Sequence, residues 1–141
     1  MEIDHAELLK TLFGQHQKLK DYLQHVAQDI GRPEGELDCT EKDLVQFHKD
    51  LVAHLALEDK VFYPEVFRIL KRSGMDSRPT EIFFAEMQKI AAVVEEFLAK
   101  YKTKEDILKN KKDFSDEFGS IAKKLALRVA AEEEGVYMYL A

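Results

Sequence analysis

Two residues in the middle of the chain have the types and spacing to chelate an ion: His54 and Glu58. Four residues turn an α-helix by about 400°, which leaves two such side chains roughly 40° apart on one face and about 6 Å apart along the axis. Imidazole with carboxylate suits iron, manganese or zinc better than calcium, because nitrogen donors favour transition metals. Further candidate donors come from an internal repeat. His16-Gln17-Lys18-Leu19 matches Met87-Gln88-Lys89-Ile90, and the stretch from His54 through Glu58-Asp59-Lys60-Val61-Phe62 matches that from Val129 through Glu133-Glu134-Gly135-Val136-Tyr137. Each half of the chain reads as a helical hairpin. Pairing the two hairpins about a pseudo-twofold axis closes a bundle in which the polar seam residues meet near the middle.

The elements that must hold these residues are helices. Leu9, Leu12, His16, Leu19, Leu23, Val26 and Ile30 advance by threes and fours, as do Leu44, Phe47, Leu51, His54, Glu58 and Val61. A third seam runs through Phe83, Met87, Ile90, Val94, Phe97 and Tyr101, and a fourth through Phe118, Ile121, Leu125, Arg128 and Glu132. Such seams belong to helices packed nearly antiparallel. Breakers lie between them, in Gly31-Arg32-Pro33-Glu34-Gly35 and in Ser73 to Pro79. Asp4 with Glu7 and Thr40 with Asp43 read as helix starts, as does Thr80 after Pro79. The last helix starts at Thr103 to Asp106, at Asp113 to Ser115, or after a short helical connector. No run of alternating β-branched residues competes with these helices. The expected fold is all-α, an antiparallel up-down-up-down four-helix bundle formed by residues 1–141 as one domain.

The 141 residues are 45% hydrophobic, enough to build the core of one domain. No apolar run approaches the roughly 20 residues of a membrane span, and no secretion signal stands at the start, so the chain is expected in the cytoplasm and away from membranes. A net charge of −6 argues against binding nucleic acid, which calls for a basic face. The partners left are another protein or a second copy of the chain. Cys39, the single cysteine, reads as an exposed loop thiol. His5, His25 and His48 read as surface or boundary residues, and Met87 and the phenylalanines as core. With no nucleophile beside a base and no glycine-rich phosphate loop, the only chemistry on offer belongs to a bound metal.

The histidine midway along helix one, followed by His54-x-x-x-Glu58-Asp59-Lys60-Val61-Phe62-Tyr63-Pro64, resembles the hemerythrin-like family of HHE cation-binding domains. The resemblance covers essentially the whole chain. It implies a helical bundle that holds two bridged irons through histidines and carboxylates, with roles in oxygen binding, iron or redox sensing, or nitrosative-stress repair. Carried over by position, it implies His16 and His54 as histidines of one iron and Glu58 and Glu133 as the bridging carboxylates, with Glu132, one position around helix four, as the alternative to Glu133. The second iron's ligands are missing. Phe83 and Met87 stand where the family has two histidines on helix three, and Arg128 or Val129 where helix four supplies another. No histidine follows His54, so classical oxygen carriage is not expected.

Two readings stay open. In one, a sensor or binding module holds a single ion of iron, zinc or manganese. In the other, no ion is bound; the cluster is hydrogen-bonded, Arg128 or Lys124 supplies the positive charge, and the bundle acts through protein contacts. Phe47-x-x-x-Leu51-Val52 with Phe62-Tyr63 is similar to the regulator-of-sigma-D type of anti-sigma factor, which gives the second reading a concrete form.

Overall fold

The computed structural model describes residues 3–30 and 37–141. The first expected break, Gly31 to Gly35, lies outside them. In chain order the helices are α1 (His5–Ile30), α2 (Leu37–Leu57), a π-helical turn (Glu58–Phe62), α3 (Tyr63–Arg72), α4 (Arg78–Lys100), α5 (Lys104–Lys109), α6 (Lys111–Glu134) and a 3-10 turn (Val136–Tyr139). No strand occurs among the described residues. Among the described residues, no helix is long and apolar enough to cross a membrane.

Asp4 caps α1 as expected, its Oδ1 accepting from the Glu7 amide at 3.1 Å. Thr40 does not cap α2. That helix begins at Leu37, and Thr40 is a fully buried residue one turn in, whose hydroxyl donates to Asp29 Oδ2 at 3.1 Å. Cys39 is exposed, but on α2 rather than in a loop. Nor does Thr80 start α4, which begins at Arg78 with Pro79 in its first turn, where a missing amide hydrogen costs nothing. The softest boundary resolves into the helical connector. Thr103 and Asp106 form a reciprocal capping box on α5, and Asp113 lies inside the first turn of α6.

The seam of α2 holds through Leu44, Phe47, Leu51, His54 and Glu58, then shifts, burying Phe62 where Val61 was expected. The π turn is the cause. It spreads its hydrogen bonds over one more residue than an α turn, so every later side chain on the same face falls one position further along.

α1 packs on α2 and on α6, and α6 on α4. Two apolar clusters fill the interior. One includes Leu19, Leu44, Phe47, Leu51, Phe97 and Phe118; the other includes Leu12, Phe62, Tyr63, Val66 and Tyr137. His16 lies in sequence between Leu12 of one cluster and Leu19 of the other, and His54 between Leu51 and Phe62. The polar residues thus form a layer between two apolar ones.

Candidate metal centre

His16, His54, Glu58 and Glu132 each offer one donor atom, and the four atoms lie within 4.8 Å of one another. All four residues are at most 3% exposed, so their charges are removed from bulk water and must be balanced within the protein. His16 Nε2 stands 3.3 Å from Glu132 Oε1, and His54 Nε2 stands 3.4 Å from Glu58 Oε2. Their rings are 4.7 Å apart between centroids.

The outward nitrogen of each ring is occupied elsewhere. His54 Nδ1 pairs with the Gln15 amide oxygen at 2.6 Å, and His16 Nδ1 with Glu133 Oε2 at 2.9 Å. An acceptor on Nδ1 holds the hydrogen there and leaves the Nε2 lone pair of a neutral ring facing inward, the arrangement usual in metal-ligating histidines. Of the expected carboxylates, Glu58 lies inside the group. Glu133 touches it only through the far side of His16 and is partly exposed. Glu132 occupies the inner position.

Two tyrosines close the layer. The Tyr137 hydroxyl donates to Glu58 Oε2 at 2.8 Å and lies 3.1 Å from His16 Nε2. The Tyr63 hydroxyl donates to Glu132 Oε2 at 3.0 Å and accepts from Arg128 Nη2 at 3.2 Å. Arg128 is buried with its guanidinium 3.4 Å from the centre of the Phe83 ring, a cation–π contact. One carboxylate oxygen, Glu58 Oε1, is buried with no hydrogen-bond partner among the described residues.

Local backbone features aim these groups. Glu58 opens the π turn, which sets it against His54 while turning Phe62 and Tyr63 inward. At the other end, Gly135 follows α6 where a Cβ would come within 2.7 Å of the Ala131 carbonyl oxygen. The glycine lets the chain fold tightly into the 3-10 turn that drops Tyr137 onto the site.

Burial pushes the Glu58 carboxyl above its ordinary range, and the Glu132 charge adds to the effect beyond what His54 offsets. Burial acts the same way on Glu132, but the hydrogen bond and charge of His16, with the charge of Arg128, win and hold it low. Burial would lower His16; its bonds to Glu132 and Glu133 and the carboxylate charges outweigh that and raise it. Both tyrosine hydroxyls are pushed strongly up, by burial first and then by the carboxylates.

Sequence reasoning missed Gln15, Tyr63 and Tyr137. Tyr137 carried a signal, since the internal repeat aligns it with Phe62, a core position. Gln15 carried none: its role depends on which rotamer reaches across to α2.

The Hemerythrin HHE cation binding domain model matches residues 7–140. The chain belongs to this family. Comparison with curated proteins and with solved structures found no match. Membership makes metal binding through a helical protein the relevant chemistry, and the His/Glu group is where an ion can be held. The residues fit one ion and do not fit two. Two inward imidazoles, two carboxylates and an unpartnered Glu58 Oε1 make a donor set for a single cation. Among the described residues this is the one such group of histidine and carboxylate donors, and beside Phe83 the Arg128 guanidinium already supplies a positive charge.

Proposed function

We propose that this protein is a one-ion hemerythrin-like module with a sensing or regulatory role. His16, His54, Glu58 and Glu132 hold the ion; Glu133, the carboxylate expected from sequence, instead orients His16, as Gln15 orients His54. The observation that carries the reading is the pair of Nε2 atoms. With both Nδ1 atoms engaged outward, neutral rings aim two lone pairs at two carboxylates, and such a group calls for a cation at its centre. Iron, manganese or zinc suits these donors, and a bound ion supplies Lewis acidity or, for iron, one-electron redox chemistry. The four long helical segments, α1, α2 with α3, α4 and α6, form an antiparallel up-down-up-down bundle around that site, as a single domain. An exposed lone thiol at Cys39 suits a reducing, cytoplasmic setting.

A second reading is favoured by the tyrosines and Arg128. Tyr137, Tyr63 and His16 lie within reach of the carboxylates, and Arg128 bonds Tyr63, without any ion, as a metal-free bundle acting on a protein partner would need. Elemental analysis of the purified chain and of its His54→Ala and Glu58→Gln variants separates the two. The one-ion reading predicts bound metal that falls in both variants together with the melting temperature. The metal-free reading predicts no metal, and a Glu58→Gln variant as stable as the parent or more so, because a buried charge is gone while the shape is kept.

A further inference from the structure

A cavity of about 410 Å³ runs from the polar layer into the apolar cluster beside it. Its walls are mainly apolar, with Leu19, Leu23, Phe47, Leu51 and Leu125 among them, and its inner end is formed by His16, His54, Glu58, Arg128 and Glu132. Exposed Gln17, Lys20 and Gln24 on α1 and exposed Ala126 on α6 line its outer end, so the cavity opens between these two helices. The small side chains of Ala122 and Ala126 keep that gap open. The volume lies in the range of about 300–1,000 Å³ common to small-molecule pockets and exceeds what a diatomic gas needs.

The inner end selects the ligand's head. Arg128 is 5% exposed, and its Nε–H has no acceptor among the described residues, a costly state for a buried charged donor. An oxygen acceptor is therefore wanted there. A carboxylate is disfavoured, because Glu58 and Glu132 line the same end and would repel it. We propose that the cavity binds an uncharged organic molecule, apolar along most of its length, whose single acceptor oxygen of ketone, ester or quinone type takes the hydrogen bond from Arg128. This goes beyond metal binding: the residues proposed to hold the ion line the same inner end, but neither the apolar walls nor the hydrogen bond from Arg128 needs an ion.

The test is a ligand-observed NMR titration of the protein as purified with phenyl propyl ketone, butylbenzene and phenylbutyrate, which share a ring and differ in the head. The ketone is expected to bind saturably, about tenfold tighter than butylbenzene, with phenylbutyrate weakest. Leu125→Phe, which fills the cavity, and Ala126→Phe, at its exposed mouth, should each weaken all binding. Arg128→Met should bring the ketone down to the level of butylbenzene while butylbenzene is unchanged. Circular-dichroism melting of each variant identifies any that fails to fold, and the mouth variant, at an exposed position, serves should Leu125→Phe not fold. Ketone binding that is absent, that survives both cavity variants, or that is no tighter than butylbenzene overturns the proposal. Metal content measured on the same samples keeps the two ideas distinct: metal without ketone binding sinks only this one, and ketone binding without metal sinks only the one-ion reading.

Discussion

Replacing Tyr137 with phenylalanine removes one oxygen from the polar layer and leaves the ring packing intact. The ring contacts Phe13, Phe62 and His16 at centroid distances of 5.4, 4.9 and 5.2 Å, so the apolar contribution of the side chain persists. What is lost is the donor to Glu58 Oε2 at 2.8 Å and the partner of His16 Nε2 at 3.1 Å. Glu58 has no reserve, because its other oxygen is already without a partner among the described residues. A hydrogen bond to a charged group contributes about 1.5 to 3 kcal/mol, and a buried acceptor left unsatisfied costs about as much, so Tyr137→Phe should destabilise by about 1.5 to 3 kcal/mol. Urea unfolding followed by circular dichroism, with a chelator present so that no metal compensates, measures the change. A Glu58→Gln, Tyr137→Phe double-mutant cycle assigns the loss to the pair. A change below about half a kcal/mol, or no coupling in the cycle, would refute the account of this contact.

Leu51, 3% exposed in the seam of α2, should cost about 2 to 5 kcal/mol when changed to alanine, read from the same unfolding curves. Gly135→Ala should cost about 1 to 3 kcal/mol, because its Cβ meets a backbone oxygen that cannot move aside cheaply, and should shift the environment of Tyr137 in near-ultraviolet circular dichroism. Glu65, bonded to Arg68 and to His5, has its carboxyl held down to about 2 from an ordinary 4.5. A depressed carboxyl gives stability that is present above 4.5 and lost as pH falls towards 2, so Glu65→Gln should flatten the acid limb of the stability profile between those values.

The seams were legible because burial repeats at helical spacing, and the polar residues His16, His54 and Glu58 stood out by interrupting them. Asp4 was legible as a cap because its effect is local. Thr40 was not, since the same residue type serves as a cap or as a buried donor, and only its contact with Asp29 on another helix decides which. The π turn has no composition that marks it, so the step from Val61 to Phe62 could not be read. Glu132 and Glu133 differ by about 100° around α6, and the apolar pattern places that face to within a residue, which is too coarse to choose between adjacent acids. The tyrosine, arginine and glutamine contacts depend on side-chain rotamers across helices, which spacing along one helix does not contain.

The most direct measurement of the central claim is the number of metal ions bound per chain in the parent, in Glu132→Gln and in Glu133→Gln, determined by equilibrium titration with manganese or zinc under anaerobic conditions. The account predicts one ion per chain in the parent, loss of binding in Glu132→Gln, and an ion retained with weaker affinity in Glu133→Gln, whose carboxylate orients His16 from outside. Two ions per chain, no ion, or a site lost in Glu133→Gln and kept in Glu132→Gln would contradict it.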